Sequence, residues 1–209
     1  MSKVLVLTSS VLGDASVSNQ LTTHIVNQLR LKNGKSKVIA RDLGSNPVPH
    51  LTQDSTIALR VPEAENEVQA NAQALSDELI AELKAADLLV IGAPMYNFGI
   101  PSTLKAWFDY VLRAGVTFSY SDAGPEGLLK GKRAIVVLTR GGLYSEGPAQ
   151  LMDAQEPHLR TLLGFIGITD VTFIRAEKLA FGASFQEEAI AAAKKAANEV
   201  VDELQLVAA

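Results

Sequence analysis

The chain has no cysteine among its 209 residues. Disulfides, thiolate nucleophiles, iron–sulfur clusters and cysteine-linked prosthetic groups are thereby excluded, and any cofactor must bind non-covalently or through other groups. Basic residues are in deficit as well, with 19 Lys and Arg against 23 Asp and Glu and a net charge of −4. Binding a phosphate backbone needs the opposite balance, so no nucleic-acid partner is expected. Long apolar runs are missing too. The longest, Leu88 to Met95, contains a Gly and a Pro and falls far short of the ~20 residues of a membrane helix. The apolar residues before Thr8 are too few for a signal peptide. A soluble cytoplasmic protein with no membrane partner is the expectation. Its three histidines, His24, His50 and His158, lack metal-ligand spacing, so no metal site is expected and each reads as a surface residue or incidental contact.

What is present is ordinary globular composition, 47% hydrophobic and 20% charged, with no linker to divide it. Residues 1–209 read as one domain. Lys3–Leu7, Leu88–Gly92 and Ala134–Leu138 are continuous apolar runs of β-formers, Val171–Ile174 is a shorter one, and Lys37–Arg41 is a more polar strand suited to a sheet edge. Between them lie helical patterns. Leu21, Ile25 and Leu29 recur at intervals of four before Asn33-Gly34, and residues 52–87 read as two helical pieces broken at Val61-Pro62. Leu104, Trp107, Phe108 and Val111 mark the buried face of another helix, closed near Gly115, with Trp107 read as core. A helical stretch spans about 149–165, where Leu159, Leu162 and Leu163 suit either the core or a dimer seam. A last helix begins at Ser184, with Ser184 and Glu187 in a capping-box pattern. Glu63 to Glu67 reads as a solvated helix face. Strand and helix alternate five times, which specifies an α/β fold: a three-layer α/β/α sandwich around a parallel sheet.

Ligands of such sheets bind beyond the carboxyl ends of the strands, which singles out three loops. The first, Ser9 to Ser18, has neither a dinucleotide-type GxGxxG nor a phosphoryl-transfer GxxxxGK[ST]. It offers Ser9, Ser10, Ser16 and Ser18 around a helix N-terminus, where unpaired N–H groups attract a phosphate; helix capping by Ser16 or Ser18 is the alternative reading. The second, Pro94-Met95-Tyr96-Asn97-Phe98-Gly99, sets two aromatics beside Asn97 just past a buried strand. That suits the face and edge of a planar heteroaromatic ligand, with a packing-only loop as the alternative. The third, Thr139-Arg140-Gly141-Gly142, allows close backbone approach and N–H groups aimed at a developing negative charge, or serves as a tight turn.

Taken together, Ser9-Ser10, Ser16-Val17-Ser18, the Pro94 to Phe98 segment, Thr139 to Gly142 and Leu163-Gly164-Phe165-Ile166-Gly167-Ile168 resemble the bacterial FMN-dependent NADH azoreductases, relatives of the flavodoxin-like NAD(P)H quinone reductases. The resemblance runs over essentially the whole chain, from Met1 to the final helix. It implies a flavodoxin-like fold with a five-stranded parallel sheet of order 2-1-3-4-5. It also implies a homodimer with two non-covalent FMN sites at its interface. Ser10, Ser16, Val17 and Ser18 would hold the phosphate, and Met95, Tyr96, Asn97, Phe98, Thr139, Arg140, Gly141 and Gly142 would embrace the ring. Thr139 stands where the family usually has Ser and keeps a hydroxyl. Phe118 or Tyr120, and Phe165, would come from the partner chain, with Arg60 near the pocket mouth; Tyr144, in the 144–147 loop, would tune acceptor choice.

The implied reaction is ping-pong: NADH or NADPH reduces the flavin at N5, and a quinone or azo acceptor then takes the two electrons, azo bonds being cleaved to amines. No residue of the chain has a catalytic acid–base role in that scheme. An alternative is a flavodoxin-type FMN electron carrier without nicotinamide turnover. Such carriers are shorter and more acidic, and the extra segments 44–75 and 113–131 would close a pocket over the ring. A sensing or scaffold protein that kept the fold and lost the cofactor is a further rival.

Overall fold

The computed structural model describes residues 3–34 and 36–204; Met1 and Ser2 lie outside them. In chain order the elements are β1 (Lys3–Thr8), α1 (Val17–Lys32), β2 (Lys37–Asp42), α2 (Gln53–Ala58), α3 (Glu67–Ala85), β3 (Leu88–Pro94) and α4 (Ser102–Val111). They continue with β4 (Phe118–Ser121), β5 (Gly124–Gly127), β6 (Arg133–Thr139), α5 (Glu156–Phe165), β7 (Asp170–Ala176) and α6 (Ala183–Glu203). The main sheet has the order β2-β1-β3-β6-β7, and every pairing in it is parallel. Leaving the β4–β5 hairpin aside, this is the expected order 2-1-3-4-5.

The reason the central strands are apolar throughout is that both faces are covered. Val4, Val6, Val90, Ile135 and Val137 pack with Leu21, Ile25 and Leu29 of α1 and Ala193, Ala197 and Val201 of α6. Leu5, Leu7, Leu89, Ile91, Val136 and Leu138 pack on the opposite side with residues of α3, α4 and α5. Trp107 is fully buried there, as are Leu159 and Leu163, which places them in the core. Polar β2 lies at one edge, and β7 closes the other. Among the described residues no helix is long and apolar enough to cross a membrane, and no group of His, Asp and Glu is arranged to hold a metal ion.

Three local expectations are corrected, and one element is new. The 149–165 stretch is a short 3-10 turn, Pro148–Met152, and then α5. Asp153 breaks it by accepting hydrogen bonds from the N–H groups of Gln155 (2.9 Å) and Glu156 (3.1 Å), the local competition with helix expected of a short carboxylate. The capping box at Ser184 does not form, because α6 already begins at Ala183 and no side chain caps it. Ser184 instead donates along the helix to Glu188 at 3.1 Å. The carboxylate run at 63–67 is exposed but mostly precedes α3, which starts only at Glu67. Finally, 118–127 forms an antiparallel hairpin. It is clamped to the turn after α5, since a Cβ on Gly127 would sit 2.1 Å from the Gly167 nitrogen.

Candidate functional site

Parallel register brings the three loops together. Thr8 pairs with Gly92 and Pro94 with Thr139, so the chain leaves β1, β3 and β6 at adjacent points. Hydrogen bonds then stitch one loop to the next. Ser9 donates to the Gly92 carbonyl at 2.7 Å, Ser10 and Tyr96 hydroxyls lie 3.2 Å apart, and the Val11 N–H donates to the Tyr96 hydroxyl at 3.2 Å. Met95 N–H donates to the Thr139 carbonyl at 2.8 Å. Helix α1 reaches this corner because Gly92 has no side chain: a Cβ there would sit 2.7 Å from Thr22 Oγ1.

At the start of α1, Ser16 is the N-cap and accepts from the Asn19 N–H at 3.2 Å. Ser18, fully buried, backs that hydroxyl at 2.9 Å. Ser16 therefore does cap the helix. The Val17 and Ser18 N–H groups make no hydrogen bond within the described residues, as expected for the first turn of a helix. Together with the buried Ser10 and Ser16 hydroxyls they gather polar donors at one helix N-terminus, the kind of place where an anion is favoured.

Tyr96 and Gly99 exchange both backbone hydrogen bonds, at 3.0 and 3.1 Å, around Asn97 and Phe98. Both central residues have positive φ, 48° and 72°, which makes a type I′ turn. Asn tolerates this conformation; for Phe it costs about 1–2 kcal/mol. The strain exposes Phe98, 42% accessible, with its ring edge-on to Tyr144 at 6.2 Å. The N–H groups of Asn97 and Phe98 remain unspent within the described residues. A pair of truncations isolates the strain. Phe98→Gly and Phe98→Ala lose the same ring, but only Ala keeps the left-handed penalty, so Phe98→Gly is expected to be about 1 kcal/mol more stable in urea unfolding. Equal stabilities would show that the turn relaxes freely.

In the third loop every carbonyl from Arg140 to Gly142 is taken: Leu179 N–H donates to Arg140 (3.1 Å), Ala180 to Gly141 (3.0 Å) and Lys178 to Gly142 (2.9 Å). The Gly141 and Gly142 N–H groups are not used within the described residues. The Arg140 side chain points inward, contrary to the expectation that it would embrace a ring. Its guanidinium is fully buried, at 2.8 Å from Asp153, 3.1 Å from Glu177 and 3.8 Å from Glu156. Its Nε donates to Gln155 Oε1 at 3.0 Å. Gln155 in turn donates to the Ala93 carbonyl at 2.8 Å, which fastens β3 to this network. Burial alone would raise the Glu177 carboxyl. Hydrogen bonds from the Ser145 hydroxyl, the Tyr144 N–H and Arg140 outweigh it and hold the group below its ordinary value.

The other expected pocket residues lie elsewhere. Arg60, Phe118 and Tyr120 line a cleft of about 440 Å³ with Leu51, Asp109 and Leu112, and no residue of the three loops lines it. The Phe165 and Phe118 rings are 4.5 Å apart. Tyr144 lines a second cleft of about 430 Å³ with Asp153, Glu156, Arg160 and Arg175. None of the histidines stands in the loops. His24 bonds Asn198 at 2.8 Å, His50 is exposed, and His158 is lowered by burial and then by nearby Lys105. Sequence reading missed Asp153, Gln155 and Glu177. Only the strand register could have found the last, because β6 and β7 pair Thr139 with Ala176, which leaves Arg140 and Glu177 side by side.

Residues 2–201 match the family model described as the flavodoxin-like fold. The chain is 56% identical over 209 residues to an FMN-dependent NADH:quinone oxidoreductase of Hyphomonas neptunium, covering all of both chains. Its identity to the protein of that name in Escherichia coli K12 is 52% over 202 residues, 96% of this chain and 99% of the relative. Among solved structures, an azoreductase from Bacillus anthracis superposes with a TM-score of 0.90 at 28% identity, covering 98% of this chain and all of that one. An FMN-dependent NADH-azoreductase from the same species, in complex with FMN, gives 0.86 at 25%, covering 96% and 100%. With its sheet order, its three stitched loops and this extent of identity, the chain belongs to the FMN-dependent NADH:quinone oxidoreductase and azoreductase family, on a flavodoxin-like fold.

Proposed function

We propose that this protein is an FMN-dependent NADH:quinone oxidoreductase that also reduces azo compounds. The observation that carries the reading is the set of unspent backbone donors on three adjacent loops: Val17 and Ser18, Asn97 and Phe98, Gly141 and Gly142. One pair begins a helix, where a phosphate is favoured. A second sits on a strained aromatic turn that offers a flat apolar wall and donors for a ring edge. The third belongs to a glycine pair, where backbone dipoles can meet negative charge. This donor set fits FMN. FMN, when bound, supplies the hydride chemistry, taking two electrons from NADH and delivering them with protons to the acceptor. The chain's part is to fix the phosphate through Ser10, Ser16, Val17 and Ser18, to wall the ring with Met95 to Phe98, and to favour charge on it through Gly141 and Gly142.

The same reading holds that two copies share each site, one giving the three loops and the other giving Phe118 or Tyr120, and Phe165, with Arg60 near the pocket mouth. Two features support it. The Arg60 and Phe118 cleft carries no loop residue. Leu151, 96% exposed, and Met152 stand on the 3-10 turn that joins Phe98 through the Ala154 N–H, 3.1 Å from its carbonyl.

Purified protein is expected to bind about one FMN per chain and to sustain NADH turnover when a quinone or azo dye is supplied, with initial rates showing ping-pong dependence on both. A yellow protein without NADH turnover would leave an electron carrier instead. Sedimentation should report a dimer. Mixing a loop variant with a Phe165→Ala variant should restore activity, since each mixed dimer rebuilds one complete site; no recovery on mixing would sink the shared-site arrangement.

A further inference from the structure

Glu177, the first residue after β7, is nearly buried, its side chain 11% exposed. Its Oε1 accepts from the Tyr144 N–H at 2.9 Å, the Ser145 N–H at 3.0 Å and Arg140 Nη1 at 3.1 Å, while Oε2 accepts from the Ser145 hydroxyl. Arg140 already has Asp153 at 2.8 Å, so pairing that guanidinium does not account for the other three bonds. They run to the loop. The next residue, Lys178, has a φ of 61°, an uncommon conformation for a side-chain-bearing residue. It turns the chain so that the N–H groups of Lys178, Leu179 and Ala180 meet the carbonyls of Gly142, Arg140 and Gly141. The carboxylate takes the loop's far end and the 178–180 backbone takes its near end. Between them the Gly141 and Gly142 N–H groups are left unspent on a backbone that cannot swing. Tyr144 closes over this backbone: a Cβ on Gly142 would stand 3.0 Å from its ring.

We propose that Glu177 is a positioning residue for the flavin. Its carboxylate pins residues 140–145 so that the Gly141 and Gly142 N–H groups stay aimed where reduction places negative charge on the ring. This rests on the functional reading above and assigns a task to a side chain that itself lies behind the loop. The sign of the effect separates positioning from plain charge. Removing a carboxylate near a ring about to gain negative charge makes that gain easier, so charge alone predicts a higher reduction potential in Glu177→Gln. Loss of aim predicts a lower one, because a donor that wanders stabilises the charge less.

The test measures the reduction potential of bound FMN against a reference dye, FMN affinity by fluorescence titration of apo-protein, and melting temperature. Wild type is compared with Glu177→Gln, Glu177→Asp and Ser145→Ala. Gln removes the charge, Asp keeps it but falls one methylene short, and the Ser145 change, at an exposed residue, deletes only one bond. The potential is expected to fall in all three. In both Glu177 variants, reduced FMN should lose about tenfold in affinity relative to oxidised FMN, equivalent to about 30 mV for a two-electron couple. Ser145→Ala should shift less in the same direction. A rise in Glu177→Gln with no change in Glu177→Asp would overturn the proposal in favour of charge. An unchanged potential in the folded variants, whatever their melting temperatures, would overturn it in favour of packing. Should Glu177→Gln fail to fold, Glu177→Asp and Ser145→Ala still decide the proposal: a lowered potential in them supports positioning, and an unchanged one overturns it. Wild-type apo-protein that takes up no FMN would overturn the functional reading and this proposal together, whereas wild type that binds and turns over beside unshifted variants overturns this proposal alone.

Discussion

Arg140→Met is expected to destabilise the protein by about 3–5 kcal/mol, the range for removing one partner of a buried ion pair. The partners left behind decide the size. Glu156 keeps Arg160 and Arg175, each at 2.7 Å, and is not stranded. Asp153 and Glu177 lose their nearest cation, and Gln155 loses the guanidinium bond on which its orientation toward Ala93 depends. Arg140→Lys keeps a charge but not the fork that reaches Gln155, Asp153 and Glu177 at once, so it should fall between the two. The loss should also depend on pH. Although burial pushes the Glu177 carboxyl up, its hydrogen bonds depress it below its ordinary 4.5. A depressed carboxyl contributes stability that is fully present above the unfolded value and is lost as pH falls through the folded one. Without Arg140 that depression shrinks, so wild type loses more than the variant on acidification and the gap between them narrows below about pH 5. Urea unfolding of all three proteins at neutral pH and in steps down to about pH 4 reads both effects. A neutral-pH deficit under about 1 kcal/mol would mean that the carboxylates find other partners.

The same network shows where sequence reading stops. Strands β1, β3 and β6 are legible because burial on both faces leaves no polar residue in them except at the ends of β1 and β6, and once they are parallel, the loops after them must share one edge. The serine, aromatic and glycine loops were therefore legible as a group. Arg140 was legible only as part of a motif. Its side chain turns away from the loop because Asp153 and Glu177 converge behind it, and nothing local in Thr139-Arg140-Gly141-Gly142 encodes that; the β6–β7 register does. The turn at Asn97-Phe98 was hidden for a different reason. Hairpin turns with two positive φ values favour Asn-Gly, and Phe in the second place carries a strain that a reading by propensity rejects. The hairpin at 118–127 was hidden because Gly124, Pro125 and Gly127 are poor strand formers. It is held by backbone contact between Gly127 and Gly167, a tertiary cause with no local signature.

A close approach of the same kind sets the serine loop after β1 and leads to the second large effect, at Gly44. A Cβ built on Gly44 would stand 2.0 Å from the Ser10 carbonyl oxygen and 2.8 Å from its carbon. The turn cannot retreat from this clash. Asp42 accepts from the Gly44 N–H at 3.0 Å and the Ser45 hydroxyl at 2.7 Å, and the Leu43 N–H donates to the Thr8 carbonyl at 2.7 Å. Ser10 must therefore yield, and with it the contact to the Tyr96 hydroxyl that joins the first loop to the second. Gly44→Ala is expected to lose about 3 kcal/mol, the upper end for overpacking because backbone rather than a side-chain tip is displaced. It should also bind FMN at least about tenfold more weakly, the loss of roughly one hydrogen bond to a charged group. Gly34→Ala is the matched control: its Cβ meets nothing nearer than 3.9 Å, so it should stay within about 0.5 kcal/mol of wild type and keep its FMN affinity. Urea unfolding of the apo-proteins and FMN titration separate the two readouts. If Gly44→Ala is destabilised but binds FMN normally, the wedge is structural and Ser10 does not hold the phosphate; if it matches Gly34→Ala in both, the Ser10 carbonyl has slack and the loop is set from the Tyr96 side alone.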